Sequence, residues 1–248
     1  MQRFKDKIVV ITGAGSGIGR STALRLDAEG ATSIIVDINA EQLEETFGMI
    51  TNKQSTQRVL DISDLESSTN FFEEIQKSHK KLDALINIAG ILRFDNSHEV
   101  QIEDWNKILN INLTGTFFMC SHALPMILES KGAIVNVSST AALGAHAWTA
   151  AYSASKGGIS AFSKTLAVEY GMKGLNINCV CPASIETPMS TNPNMPADID
   201  TRLLKKIMPL DGVNRSPDDI ASTIAFLASD DAIHINGIDL RVDGGLLT

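Results

Sequence analysis

Short apolar runs alternate along the chain with longer amphipathic stretches, and this alternation predicts the order of the secondary structure elements. The apolar runs are rich in β-branched residues and predict buried strands at residues 7–12, 33–37, 56–61, 83–88, 132–138, 175–181 and 238–242. The amphipathic stretches predict helices at residues 17–30, 40–52, 65–79, 103–129, 152–171 and 217–228. Strands that alternate with helices are typical of a doubly wound parallel sheet, so the expected fold class is α/β with about seven strands.

One stretch, residues 184–216, departs from this alternation. It is rich in proline and contains Met189, Met195 and Met208 around a short helical run predicted near residues 198–207. Methionine side chains adapt to varied shapes, so this composition indicates an adaptable apolar lid. The sequence shows no internal repeat, low-complexity tract or flexible linker, and we expect a single domain over residues 1–248.

Composition and charge argue against several classes of protein. The 248 residues are 44% hydrophobic and carry a net charge of −8, which argues against a nucleic-acid-binding surface. No apolar run approaches the ~18–20 residues that cross a membrane. The start lacks a secretory signal, and three cysteines (Cys120, Cys179 and Cys181) cannot form a disulfide framework. We therefore expect a cytoplasmic protein that binds neither nucleic acid nor membrane.

Three side chains predict a proton-transfer site. Tyr152 and Lys156 are one helical turn apart and project from the same helix face, and Ser139 ends the apolar run that begins at Gly132. A phenol has a pKa near ~10, and an ammonium group one turn away is expected to lower it toward the working range. The serine hydroxyl would then hold the oxygen of a carbonyl or an alcohol beside the phenol.

The N-terminal part of the chain predicts a site for an electron acceptor. The first strand runs into a glycine-rich turn, Gly13–Gly19, which is followed by a helix, and the second strand ends at Asp37. Strand, turn, helix and strand-terminal acid in this order predict a Rossmann-like dinucleotide site. A carboxylate at that place accepts hydrogen bonds from ribose hydroxyls and repels a 2′-phosphate. The expected cofactor is therefore NAD rather than NADP.

The chain resembles the short-chain dehydrogenase/reductase family nearly end to end. Thr12–Gly19 fits the TGxxxGxG cofactor turn of that family. The family's catalytic tetrad is matched by Asn112, Ser139, Tyr152 and Lys156. The resemblance implies hydride transfer between NAD(H) and a secondary alcohol or its ketone, without a metal ion. Tyr152 would be the general base or acid, and Asn112 would bend its helix and hold a water molecule that links Lys156 to solvent.

Two elements depart slightly from the family pattern. Asn87–Gly90 fits the NNAG element with Ile88 in place of its second asparagine, and Pro182–Thr187 fits PGxxxT with Ala183 in place of glycine. The expected cofactor contacts are Gly13, Ser16, Gly17, Ile18, Gly19, Asp37, Asp61, Ile62, Asn87, Ala89, Gly90, Tyr152, Lys156, Pro182, Ile185 and Thr187. For Asp61 an alternative is equally supported, in which its side chain only caps the turn that follows.

The expected substrate contacts form a mostly apolar set. They comprise Ser139 and Tyr152 together with Leu92, Thr140, Ala145, His146, Trp148, Ser184, Met189 and Met195. Such a lining suits an alicyclic, aromatic or steroid-like alcohol. His146 lies between Ser139 and Tyr152 in the sequence, where the substrate must pass. The resemblance further implies that residues 184–216 cover the active site and that the protein is a homo-oligomer, commonly a tetramer.

Two other functions compete with this interpretation. An NADPH-dependent 3-oxoacyl-[acyl-carrier-protein] reductase normally has a basic residue in the glycine turn and a basic dock for its carrier. Here the turn carries Ser16, and only the isolated Lys131 and Lys173 could form a dock. A non-catalytic dinucleotide-sensing protein would not need an activated phenol, so the complete tetrad argues against it.

Overall fold

The computed structural model describes residues 2–144, 146–191, 195–197 and 199–248, and its centre is one parallel sheet of seven strands. The strands are β1 (Ile8–Thr12), β2 (Thr32–Asp37), β3 (Thr56–Val59), β4 (Ala84–Asn87), β5 (Ala133–Val137), β6 (Asn176–Pro182) and β7 (Asp239–Val242). Their order is β3-β2-β1-β4-β5-β6-β7, and all neighbours are parallel. The predicted doubly wound α/β fold is confirmed.

Helices connect the strands and cover both faces of the sheet. They are α1 (Gly17–Ala28), α2 (Ala40–Met49), α3 (Leu65–Ser78), α4 (Ile102–Leu109), α5 (Thr116–Ser130), α6 (Ala150–Gly171), α7 (Pro188–Thr191) and α8 (Pro217–Leu227). Short 3₁₀ turns are formed by Thr140–Ala142, Thr201–Lys206 and Asp230–Ala232. The predicted elements are present with slightly shifted ends, most of all α2, which ends at Met49 rather than at residue 52.

The core has two parts because alternate strand residues point to opposite faces of the sheet. In β1, Val9 and Ile11 face a cluster that includes Leu26 of α1 and Ile224 of α8. Val10 points the other way, into a cluster built from α3, α5 and α6. Both faces of the strand are thus buried, which explains why its sequence is apolar throughout rather than alternating.

The helix predicted at residues 103–129 is interrupted. A π-helical segment, Asn110–Gly115, joins α4 to α5. Such segments insert an extra residue into a helix and often occur at functional sites. By length and composition alone, Ile102–Ser130 could cross a membrane, but half of its most apolar window is buried inside the fold. It packs there against α3 and α6, as the core helix of a globular protein does.

The parallel sheet determines where a site can form. In the register of the central strands, Asn87 of β4 pairs with Asn136 of β5, which pairs with Cys179 of β6. The carboxyl ends of the strands therefore lie along one edge, and the loops that leave them lie side by side. Residues 184–216 follow β6 at this edge, and a bridge between Ile185 and Arg215 ties the two ends of the segment together.

Candidate active site

A cleft of about 800 Å³ opens at the carboxyl edge of the sheet. The site residues expected from the sequence that line it are Gly13, Ser16, Gly17, Ile18, Gly19, Asp37, Asp61, Ile62, Ala89, Gly90, Leu92, Ser139, Thr140, His146, Tyr152, Lys156, Pro182, Ser184, Ile185, Thr187, Met189 and Met195. Three expected residues, Asn87, Asn112 and Trp148, are not part of this lining. Ala145 lies outside the described residues.

The glycine turn after β1 is packed so closely that side chains would not fit. Gly13 has a φ of +70°, and a Cβ there would lie 2.7 Å from the backbone nitrogen of Ala89. A Cβ at Gly19 would lie 1.8 Å from the carbonyl oxygen of Gly13. These positions therefore require glycine. A turn of this kind can bring its backbone close to a bound pyrophosphate.

The N-terminus of α1 has no side-chain cap, and neither have those of α4, α5 and α6. Side chains of Asn39, Asp64 and Ser216 cap α2, α3 and α8, whereas Ser16 makes no capping hydrogen bond at α1. The first turn of α1 also contains no acidic residue. Free N–H groups and the positive end of the helix dipole thus face the cleft, which fits the phosphates of a dinucleotide.

Asp37 is held rigidly beside this turn. Its Oδ2 accepts a hydrogen bond of 2.8 Å from the backbone N–H of Gly15, and its Oδ1 accepts one of 2.9 Å from that of Asn39. The carboxylate therefore projects a fixed negative charge into the part of the cleft next to the glycine turn.

Asp61 does form the turn cap that the sequence allowed as an alternative. Its Oδ1 accepts hydrogen bonds from the backbone N–H and the hydroxyl of Ser63, at 2.9 and 2.6 Å. Asp61 and the neighbouring Ile62 also line the cleft. The capping bonds fix the loop after β3 in the position where it forms part of the wall.

The side chain of Asn87 points away from the cleft, contrary to expectation. Its amide donates to Oδ1 of Asn136 at 2.9 Å and to the thiol of Cys120 at 3.2 Å, inside the fold. Asn136 in turn donates to the hydroxyl of Ser163 in α6 at 2.8 Å. Asn87 thus links β4 to β5, α5 and α6, and a strand-end asparagine in a sequence does not reveal which way it points.

Ser139, Tyr152 and Lys156 come together where β5 ends and α6 begins. Nζ of Lys156 donates a hydrogen bond of 2.7 Å to the carbonyl of Val137. The same nitrogen lies 5.6 Å from the centre of the Tyr152 ring. The Ser139 hydroxyl accepts a bond of 3.1 Å from the N–H of Ala141, which orients it at the strand end. The structure thus contains the group of three side chains that the sequence spacing predicted.

Burial dominates the pKa values of both Tyr152 and Lys156. Burial raises the pKa of Tyr152, although a hydrogen-bonding interaction with the Ser139 side chain acts in the opposite direction. Burial also lowers the pKa of Lys156 to about 8. Loss of hydration disfavours the charged form of each group, which is the phenolate of Tyr152 and the ammonium of Lys156.

Asn112 lies in the π-helical segment and fastens the loop after β4. Its Oδ1 accepts from the N–H of Ile91 at 2.8 Å, and its Nδ2 donates to the carbonyl of Ile91 at 2.9 Å and to the hydroxyl of Ser155 at 3.1 Å. A Cβ on Gly90 would lie 3.1 Å from Oδ1 of Asn112 and 3.6 Å from Nζ of Lys156. Asn112 therefore adjoins the cleft from behind Gly90 and does not line it.

The loop after β6 approaches the glycine turn. A Cβ on Gly17 would lie 3.0 Å from Cγ2 of Thr187, so these two parts of the wall are in contact. The hydroxyl of Ser190 donates to the carbonyl of Ile185 at 2.6 Å and keeps this loop in a tight turn. Ala183, which replaces the family glycine, does not have a positive φ. Its substitution is therefore compatible with the local backbone.

The loop that precedes α6 contains His146 and Trp148, which the sequence analysis placed among the substrate contacts. His146 lines the cleft, whereas Trp148 does not. Trp148 has a φ of +64°, and its carbonyl accepts a hydrogen bond of 2.8 Å from the N–H of Asp95. The structure therefore does not bring Trp148 together with the other expected substrate contacts.

Several cleft residues were not expected from the sequence. They are Phe94, Lys107, Ile111, Ile199, Leu204, Ile207 and Asn214, among others. Most belong to loops or to residues 184–216, where no periodic pattern indicates which side chains point inward. Within the described ranges, no group of three or more His, Cys, Asp or Glu side chains is arranged to hold a metal ion.

Comparison with known proteins agrees with this geometry. Residues 13–247 match the family described as enoyl-(acyl carrier protein) reductase. The chain is 35% identical to meso-2,3-butanediol dehydrogenase of Serratia marcescens, over 98% of this chain and 95% of that protein. It is 36% identical to 3beta-hydroxysteroid dehydrogenase of Mediterraneibacter gnavus, over 100% of this chain and 97% of that one.

A solved structure supports the same grouping. The 3-ketoacyl-(acyl-carrier-protein) reductase of Brucella melitensis, complexed with NADH, superposes with a TM-score of 0.89 and 31% identity, over 98% of this chain and 99% of that one. The fold and the site together define a dinucleotide-dependent oxidoreductase. The chain belongs to the short-chain dehydrogenase/reductase family.

Proposed function

We propose that this protein transfers a hydride between NAD(H) and a secondary alcohol or the corresponding ketone. The observation that carries the proposal is the meeting of Ser139, Tyr152 and Lys156 in the same cleft as the uncapped N-terminus of α1. The first group, Ser139, Tyr152 and Lys156, can bind a C–O group and transfer its proton. The second, the N-terminus of α1, can bind a dinucleotide. A non-catalytic dinucleotide sensor would have no use for the first group.

The proposed roles follow from the chemistry of each side chain. When bound, the nicotinamide ring accepts the hydride in oxidation and donates it in reduction. Tyr152 takes the proton of the substrate hydroxyl as a phenolate in oxidation, and it returns that proton as a phenol in reduction. Ser139 orients the substrate oxygen. Lys156 holds the nicotinamide ribose, and Asn112 maintains both the loop at Ile91 and the path for protons.

The proposed cofactor is NAD rather than NADP. The fixed carboxylate of Asp37 would accept hydrogen bonds from ribose hydroxyls and would repel a 2′-phosphate. The relative from Brucella melitensis was solved as a complex with NADH, which agrees with this choice. The remaining proposed cofactor contacts are the residues that the sequence analysis expected to bind the cofactor and that line the cleft.

The proposed substrate is an apolar alcohol that is alicyclic, aromatic or steroid-like. Side chains such as Leu92, Phe94, Met189 and Met195 make the substrate half of the cleft largely apolar. The names of the two dehydrogenase relatives, a butanediol and a hydroxysteroid enzyme, agree with a secondary alcohol. The expected contacts are Ser139, His146, Tyr152, Ser184 and Met189.

The biological setting is also part of the proposal. We infer one catalytic domain over residues 1–248, in which residues 184–216 form the substrate lid. We further propose a cytoplasmic homotetramer. Light scattering on the purified protein after size-exclusion chromatography would measure its mass directly.

A panel of cofactors and alcohols tests the proposal. The purified protein would be assayed by the absorbance of reduced nicotinamide with NAD and with NADP, against cyclic, aromatic, steroid and β-hydroxyacyl substrates. Turnover with NAD on cyclic, aromatic or steroid alcohols supports the proposal. Activity confined to NADP and β-hydroxyacyl thioesters would replace it with the acyl-carrier-protein reductase function, and no turnover at all would favour the sensor.

A further inference from the structure

Gly15, in the glycine turn, is held from both sides by charged side chains. Its backbone N–H donates a hydrogen bond of 2.8 Å to Oδ2 of Asp37. Its carbonyl oxygen accepts hydrogen bonds from the guanidinium of Arg20, at 2.7 Å from Nη2 and at 3.1 Å from Nε. Hydrogen bonds that involve a charged group are stronger than those between neutral groups. The position of the Asp37 carboxylate is therefore connected through Gly15 to Arg20.

Arg20 lies at an unfavourable place for a cation. It stands in the first turn of α1, where the positive end of the helix dipole opposes a positive charge. Only 27% of its side chain is exposed. Arg20 is not part of the cleft lining in the described structure, so it lies behind the glycine turn. Any effect of Arg20 on a bound cofactor must therefore pass through the residues that it contacts.

The guanidinium of Arg20 is also fixed to α2. Its Nε donates to the hydroxyl of Thr46 at 2.9 Å, and its Nη2 donates to Oε2 of Glu45 at 2.8 Å. Thr46 is fully buried, whereas Glu45 is about half exposed. The buried hydroxyl sets the direction of the guanidinium and the carboxylate balances its charge. Arg20 thus joins the glycine turn to α2.

The N-terminus of α2 is tied to Asp37 in turn. Oδ1 of Asp37 accepts from the N–H of Asn39 at 2.9 Å, and the Asn39 side chain caps α2 by accepting from the N–H of Gln42 at 3.1 Å. Gln42 lines the cleft, as Asp37 does, and a Cβ on Gly15 would lie 3.1 Å from its Cβ. The contacts form a closed ring that runs from Asp37 through Gly15, Arg20 and α2 back to Asp37.

We propose that Arg20 is a positioning residue for cofactor recognition, which holds Gly15 so that the Asp37 carboxylate can accept a hydrogen bond from the 2′-hydroxyl of the adenosine ribose. This inference rests on the proposed use of NAD. Removal of the guanidinium leaves the charge of Asp37 in place but releases one side of the residue that orients it. The variant should therefore recognise the 2′-hydroxyl less well, while KM for the alcohol stays unchanged.

Two cofactors that differ by one hydroxyl test the inference. With the best alcohol from the substrate panel, kcat/KM for NAD would be divided by kcat/KM for the NAD analogue whose adenosine ribose lacks the 2′-hydroxyl. We expect a ratio of about tenfold to hundredfold for the wild-type protein, the effect of one hydrogen bond to a charged group. Arg20→Met should lower this ratio about fivefold. Because both cofactors are measured with one preparation, a loss of folded protein cancels from the ratio.

Three further variants separate positioning from a general effect on structure. Arg20→Lys keeps the charge but lacks the planar fork of the guanidinium, so its ratio should be intermediate. In an Asp37→Asn background, Arg20→Met should change the ratio much less than in the wild-type background, since the residue through which it acts is already altered. Arg25→Met, in the same helix, removes a cation that pairs with Glu29, and it should keep the wild-type ratio.

The contrary outcomes are distinct for the inference and for the proposed function. An unchanged ratio in Arg20→Met, or in Arg20→Lys if Arg20→Met does not fold, would overturn the inference while leaving the dehydrogenase function in place. A wild-type ratio near one, or an equal effect of Arg20→Met in both backgrounds, would do the same. Absence of turnover with either cofactor on every alcohol would instead refute the proposed function, and this inference with it.

Discussion

The two walls of the cleft are built in different ways. The wall formed by β5 and α6 holds Ser139, Tyr152 and Lys156 in a buried frame, in which Ser138 donates to the carbonyl of Lys156 at 2.9 Å and Lys156 donates to that of Val137. The wall formed by residues 184–216 is partly exposed, contains no long helix in its described part, and presents flexible side chains such as Met189.

The buried wall is suited to proton transfer, and the more exposed wall is suited to substrate recognition. Proton transfer needs donor and acceptor atoms in fixed positions, and buried hydrogen bonds supply that rigidity. Substrate recognition tolerates a softer wall, particularly one that opens to admit the ligand. Among the described residues of the segment, the backbone N–H of Leu210 donates a hydrogen bond of 3.2 Å to the carbonyl of Gly244 and so ties the segment to the C-terminal turn. Substitutions in the first wall should therefore act on kcat and those in the second on KM.

The largest effect is expected from Tyr152→Phe. Removal of the hydroxyl that carries the proton should lower kcat by about 10²- to 10⁴-fold, while NADH still binds as measured by fluorescence titration. Tyr170→Phe is the matched control, because Tyr170 lies in the same helix but does not line the cleft. Turnover of Tyr152→Phe at the level of this control would show that the first wall is not the catalytic one.

A second large effect is expected from Asp37→Asn, which changes the cofactor end of the cleft. Loss of the negative charge should raise the kcat/KM ratio of NADP to NAD by about tenfold or more, since the repulsion of a 2′-phosphate disappears. Asp64→Asn removes a carboxylate that caps α3, and it should leave the ratio unchanged. An unchanged ratio in Asp37→Asn would contradict the assigned role.

Lys156→Met should separate activity from stability. Burial lowers the pKa of Lys156 to about 8, so below that pH the folded protein must enclose a charged amine. The variant should lose activity but gain a few degrees in Tm. This gain should be largest below pH 8 and fade as pH rises toward about 10.5, where the lysine is neutral in both the folded and unfolded states. A lower Tm at neutral pH would show that the lysine stabilises the fold.

The smallest effect is expected where the C-terminal turn supports the substrate half of the cleft. A Cβ on Gly144 would lie 2.6 Å from Cδ2 of Leu247, so Leu247 packs against the loop that leads to His146. Leu247→Ala should raise KM for the alcohol by about two- to fivefold and leave KM for NAD unchanged. Ile233→Ala, at an exposed surface position, provides the control. Equal changes in both KM values would indicate a general loss of structure.

The sequence predicted most of the first wall and only part of the second. The strands, the glycine turn and the grouping of Ser139, Tyr152 and Lys156 follow from periodicity and short-range spacing, which a single sequence records. Residues 184–216 lack such a pattern. Cleft residues such as Asn214 therefore became evident only once the fold had brought distant segments together.

Three features of the cleft and its surroundings could not be predicted from local sequence, and they have a common physical cause. The inward turn of Asn87, the π-helical segment at Asn112, and the left-handed backbone of Trp148 each depend on hydrogen bonds to residues remote in the sequence. The pKa of Tyr152 depends on burial by the whole fold. Local sequence identifies which groups are present, and tertiary contacts decide their direction and their proton affinity.

The most direct test of the central claim follows the hydride. The best alcohol from the substrate panel would be deuterated at its carbinol carbon and incubated with NAD, and the cofactor would then be analysed by mass spectrometry. We predict that one deuterium appears in the reduced nicotinamide with wild-type protein and with Tyr170→Phe, and that Tyr152→Phe forms almost none. Oxidation of the alcohol without deuterium in the cofactor, or undiminished transfer in Tyr152→Phe, would contradict the proposed mechanism.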